Sequence, residues 1–151
     1  MAGSPRPNPA MAEQARYRLF EHPADIGIEA FGQSPAELFE NAAFALFDVI
    51  ADLEAVQVRE RREVSTTGEG WDDLFINWLR ELLYLHSGEE YLFREFRVTA
   101  ITDGAVCALI GGERLDPARH GLKVEVKAVT YHQARAARQD GSWLGRFILD
   151  I

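Results

Sequence analysis

A chain of 151 residues, 47% hydrophobic and 26% charged, has the size and make-up of one compact domain, being too short for two cores and too apolar for disorder. Sixteen basic against twenty-four acidic residues leave a formal charge of −8, which repels a phosphate backbone and speaks against direct nucleic-acid binding. No apolar run approaches the roughly 18 residues of a membrane span, and a single Cys107 excludes an intramolecular disulfide, so a cytoplasmic protein with no membrane partner is expected.

Residues 1–15, MAGSPRPNPAMAEQA, carry three prolines and lack the apolar centre of a secretory signal. They read as a flexible leader, within which Met11 is an alternative start, and residues 16–151 as a single domain. RYRLFEH at 16–22 and IGIEAFG at 26–32 read as two strands. At Ser34 the pattern changes: Ser34-Pro35-Ala36-Glu37 joins an N-cap residue, a proline at the first helical position and the glutamate of a capping box. Leu38, Phe39, Ala42, Ala43, Leu46, Phe47 and Ile50 then recur at three- and four-residue steps, predicting a helix to about Asp52 with one wide apolar face.

Val56 to Thr66 suits an amphipathic strand. A second helix is predicted from Asp72, with Asp72 and Asp73 favourably placed against its dipole and Leu74, Phe75, Trp78, Leu79, Leu82 and Leu83 along its apolar face. Four strand-like stretches follow: YLFREFRVTAI, AVCALIGG, KVEVKAVTYHQARAA and SWLGRFILDI. Asp103-Gly104 and Asp140-Gly141 sit where tight antiparallel hairpins are expected. The fold class is α+β: two amphipathic helices packed on a largely antiparallel or mixed sheet, single or split.

The chemistry-bearing candidates are acidic. If the last strand pairs beside the first ones, Asp25, Asp150 and the α-carboxylate of Ile151 converge, and three negative oxygen donors call for a hard divalent cation, Ca²⁺ or Mg²⁺, rather than structural zinc. The competing reading is a turn-capping Asp25 and a solvated Asp150 beside a frayed end. His22, His86, His120 and His132 lack zinc-protease spacing. His86 suits a helix C-terminus, while His22 and His132 are either ordinary structural histidines or groups that orient neighbours of a site.

Cys107, inside AVCALI, reads as a small buried hydrophobe. Strand alternation puts Lys127, Val129 and Tyr131 on one face, with Lys127 a solubilising edge residue. Trp71, Trp78 and Trp143 read as packing residues. Two basic clusters, Arg59-Arg61-Arg62 and Arg135-Arg138, are equally well explained as solvated strand faces. Neither a nucleophile elbow nor a phosphate loop is present, so direct GTP binding and serine or cysteine catalysis are not expected. A metal-dependent hydrolase and a general chaperone-like module stand as alternative functions.

With these residues in hand, the chain resembles the archease family from about Tyr17 to Ile151. The likeness is carried by HPADIGIEAFG at 22–32, PAELFENAAFALF at 35–47, DDLFINWLRELLY at 72–84, VKAVTYH at 126–132 and the terminal Asp150-Ile151. The family usually has threonine where Pro23 stands here, which removes a hydroxyl beside Asp25. The resemblance implies a metal site at Asp25, Asp150 and Ile151, with Ca²⁺ the expected occupant, and a functional role for Lys127. It further implies a non-enzymatic partner of RtcB-type RNA ligases that promotes ligase guanylylation and multiple turnover in tRNA splicing and RNA repair.

Overall fold

The computed structural model describes residues 15–22 and 25–151, with Glu21 and His22 as backbone alone. The expected leader (apart from Ala15), Met11 and Pro23 lie outside the described residues. Those residues form Tyr17–His22 (β1), Asp25–Gly32 (β2), Pro35–Ile50 (α1), Glu60–Thr67 (β3), Trp71–Ser87 (α2), Tyr91–Ile101 (β4), Ala105–Arg114 (β5), Ala128–Gln139 (β6) and Ser142–Asp150 (β7). The sheet is split in two, a four-stranded β1-β2-β7-β6 and a three-stranded β3-β5-β4, and every pairing is antiparallel. The α+β expectation holds.

Each helix is fixed by its ends and its apolar face. Ser34 Oγ accepts the Glu37 N–H at 3.2 Å, and Glu37 Oε1 accepts the Gln33 N–H at 2.9 Å, one residue earlier than a standard capping box would place it. Leu38, Phe39, Ala42, Ala43, Leu46 and Phe47 are fully buried. Burying each of the larger ones stabilises by roughly 1.5–3 kcal/mol, against about 1 kcal/mol for the cap, so packing sets the helix and the cap sets where it starts.

Helix α1 packs chiefly on β2 and β4, and α2 chiefly on β6 and β3, so each helix spans both sheets. The Trp78 indole donates to the Phe39 carbonyl at 3.0 Å inside this core. Asp72 Oδ1 accepts the Ala136 N–H at 2.7 Å, which ties the start of α2 to the edge strand β6.

Three local expectations change. Cys107 is exposed, with its sulfur 3.3 Å from Ser65 Oγ. On β5 the residues facing the helices are Val106, Ala108 and Ile110, and the alternation of a strand turns Cys107 to the other side. Strand β3 starts at Glu60 rather than Val56, because the Gln57 N–H is taken by the Glu113 carboxylate at 2.7 Å instead of by a strand partner. Lys127 precedes β6; Val129 is buried, and Tyr131, though 57% exposed, stays on the helix side, its hydroxyl donating to Asn77 Oδ1 at 3.3 Å and its ring lying under Arg80. A register irregularity between Thr130 and Arg135, with Gln133 at φ 59°, interrupts the alternation there.

Candidate functional site

The four-stranded sheet has one side against the helices and one side away from them. Ile28, Ala30, Phe147 and Leu149 belong to the core, and a Cβ on Gly145 would strike Phe75 and Leu38, so residues of that parity face inward. Asp25, Gly27 and Glu29 of β2, with Asp150, Ile148 and Arg146 of β7, therefore share the outer face.

Strand register brings the expected acidic residues together. Asp25 pairs directly with Asp150; on either side His22 pairs with Asp25 and Ala128 with Asp150, so one row crosses all four strands. Directly opposed residues on one face stand about 4.5–5.5 Å apart at Cβ, a spacing at which two carboxylates repel. Ile151 follows Asp150 immediately and is 40% exposed. The Lys127 N–H donates to the Asp150 carbonyl at 2.7 Å, which fixes the backbone of the segment entering β6 beside the acidic pair.

One rung further in, Phe20, Gly27, Ile148 and Thr130 form the next row. The Phe20 ring fills the space a Cβ on Gly27 would need, and Ile148 is 1% exposed. Thr130 Oγ1 is buried with no hydrogen-bond partner. Asp25 and Asp150 offer this row oxygen donors, a chemistry that suits a hard divalent cation. Among the described residues, no three His, Cys, Asp or Glu side chains gather as a metal-holding group. A cation held at this row would need donors beyond the two aspartate side chains.

The histidines divide. His22 takes its place in the acidic row by backbone register, and its side chain lies outside the described residues. His132 is exposed on the irregular part of β6, its Nε2 3.2 Å from Gln133 Nε2. His86, in the last turn of α2, has Nδ1 2.9 Å from the Tyr91 carbonyl oxygen.

His120 was not singled out by the sequence and is buried. Its Nδ1 accepts the Asp116 N–H at 2.9 Å, which puts the ring proton on Nε2, 2.9 Å from Glu113 Oε2. Glu113, 3% exposed, also takes Arg119 at 2.5 Å and Arg59 at 3.1 Å. Burial alone would raise the Glu113 carboxyl, but hydrogen bonds from the Gln57 N–H, His120 and Arg119 outweigh it and lower the pKa to about 2. This network clamps the connection after β5 to residues 55–59, far in sequence from the acidic row. Nothing in the local sequence announces it, since its members come from separate segments.

The comparisons with known proteins agree with this architecture. The Archease protein family (MTH1598/TM1083) matches residues 17–151. The chain belongs to the archease family. An archease of Pyrococcus abyssi is 42% identical over 140 residues, covering 90% of this chain and 99% of that protein. One of Methanosarcina mazei is 39% identical, covering 90% and 96%. The solution structure of Methanobacterium thermoautotrophicum protein 1598 superposes with a TM-score of 0.76 at 35% identity, covering 90% of this chain and 99% of that one. A Thermotoga maritima archease, described as a possible chaperone, shares the fold with a TM-score of 0.61 at 21% identity, covering 87% and 94%.

Proposed function

We infer that the chain is an accessory factor of a GTP-dependent, RtcB-type RNA ligase, raising ligase guanylylation and turnover in tRNA splicing and RNA repair in the cytoplasm. Family membership supports an accessory role. The observation that carries the finer reading is the direct opposition of Asp25 and Asp150 across β2 and β7. Two carboxylates on facing positions, followed at once by Ile151, make a cradle for a divalent cation, with Ca²⁺ the best match to flexible, all-oxygen ligation. Such a cation supplies concentrated positive charge and open coordination positions for phosphate or carboxylate oxygens of a partner.

The protein's own residues do the positioning. The β1-β2-β7-β6 register holds Asp25 opposite Asp150. The Lys127 N–H bond keeps Lys127 beside that pair, where its exposed ammonium is available to a ligase carboxylate or a phosphate. The chemistry of RNA joining stays with the ligase.

The test is a guanylylation assay with a cognate ligase, GTP and divalent ions, comparing the wild-type chain with Asp25→Ala, Asp150→Ala and Lys127→Ala, folding being checked by circular dichroism. The wild type should accelerate ligase-guanylate formation and the variants should not. Equal ligase rates with and without the wild-type chain at every ratio tried would falsify the reading.

A further inference from the structure

We propose that the outer face of the four-stranded sheet carries an oxyanion site for a compact phosphate group, such as the polyphosphate of a nucleotide, centred on Arg135 and Arg146. The proposal stands independently of the ligase reading and of the cation site.

The site is built on one rung of the sheet. Arg18 pairs with Glu29, Glu29 with Arg146, and Arg146 with Arg135, so four charged residues on one face run across β1, β2, β7 and β6. Three are guanidiniums and one is a carboxylate. Glu29, 7% exposed, is already satisfied: Arg18 reaches Oε1 at 2.5 Å and Arg146 reaches Oε2 at 3.2 Å.

Arg146 is further fixed by donating to Gln133 Oε1 at 3.3 Å and by lying 4.0 Å over the Phe20 ring. That leaves Arg135 directly opposite a pre-oriented arginine, and among the described residues it makes no ion pair. Like charges directly opposite one another destabilise a sheet unless something of the other sign lies between them.

A cavity of about 300 Å³ opens at this rung, lined by Glu29, Arg135, Ala137, Arg138, Leu144 and Arg146 among others. Arg138 likewise makes no ion pair among the described residues. The other arginine cluster shows what a solvated face looks like here: Arg59, Arg61 and Arg62 pair with Glu113, Glu95 and Glu89 respectively. Elsewhere, arginines without a carboxylate partner are spent on other groups, Arg94 on the Val56 carbonyl, Arg114 on the Tyr91 hydroxyl and Arg80 on the Tyr131 ring, whereas Arg135 faces the cavity directly opposite Arg146.

Planar guanidinium forks fit phosphate oxygens two at a time, and a site of this size suits a small, highly charged ligand. The formal charge of −8 over the chain selects against a long nucleic-acid strand, which would meet repulsion beyond the patch. Four residues of strand separate this rung from the Asp25–Asp150 row on the same face, about 13 Å.

The experiment is isothermal titration of the full chain with inorganic tripolyphosphate at low salt in EDTA, which keeps divalent ions off the acidic row. A short single-stranded RNA and a polyglutamate peptide serve as the other arms. Tripolyphosphate should bind, Arg135→Gln should weaken it about tenfold, and Arg61→Gln should leave it unchanged. Without ligand, Arg135→Gln should melt higher than wild type, and tripolyphosphate should raise the melting temperature of the wild type alone.

No binding of tripolyphosphate, equal binding to Arg135→Gln, or a ligand-free Arg135→Gln that melts lower than wild type would each overturn the site. So would RNA or polyglutamate binding where tripolyphosphate does not.

Discussion

Asp25 and Asp150 illustrate how a residue's meaning depends on its partner across a sheet. Alone, each is an ordinary acidic residue near a strand end; opposed on one face, they concentrate negative charge at one end of the sheet. Glu113 behaves oppositely. Its folded pKa of about 2 lies below the ordinary carboxyl value of 4.5 that it regains on unfolding. Its stabilisation is therefore complete above pH 4.5 and is lost as the pH falls toward 2. Glu113→Gln should flatten the acid limb of the stability curve by about 1–3 kcal/mol, read from denaturant midpoints between those pH values. It should also destabilise the protein at neutral pH, where Arg59 and Arg119 lose their shared partner.

At the scale of elements, the helices are the legible part of the chain. Ser34 to Glu37 and the three- and four-residue recurrence of apolar residues are local signals, and both helices form within a residue or two of where those signals place them. Removing the cap with Ser34→Ala should cost about 1 kcal/mol in equilibrium unfolding without altering the fold. Both hairpins turn at their Asp-Gly pairs: Asp140 and Gly141 have φ of 52° and 82°, the left-handed pair of a two-residue turn, while the turn at Asp103-Gly104 is closed by the Thr102 N–H donating to the Ala105 carbonyl without a positive φ.

The strands were less legible where tertiary contacts decide. Residues 56–59 look like strand, but a carboxylate from β5 takes the Gln57 N–H. Thr130 to Arg135 look like regular alternation, but the register shifts between them, and only past the irregularity does Arg135 come to pair with Arg146. Close approach matters at Gly112, where a Cβ would stand 1.9 Å from the Leu92 carbonyl oxygen beside the irregularity in the β4–β5 pairing. Gly112→Ala should destabilise by about 1–3 kcal/mol, measured by thermal or urea unfolding.

On the scale of the whole molecule, one sheet face is sorted by charge. An acidic row, an apolar row holding Phe20 and Ile148, and an arginine row follow one another along β2 and β7, while the opposite face is committed to the helices. The members of the acidic row are legible in the sequence, because HPADIGIEAFG and Asp150-Ile151 are contiguous strings. The arginine row is not legible in the same way, because Arg18, Glu29 and Arg146 join Arg135 only through pairings between distant strands.

The most direct measurement is a calorimetric titration of the wild-type chain with Ca²⁺, repeated on Asp25→Asn and Asp150→Asn. One ion should bind per chain and raise the melting temperature as expected for a ligand of the folded state alone, and both variants should lose binding and stabilisation together. A wild type that takes up neither Ca²⁺ nor Mg²⁺, or an Asp25→Asn variant that binds as well as the wild type, would contradict the cation clamp.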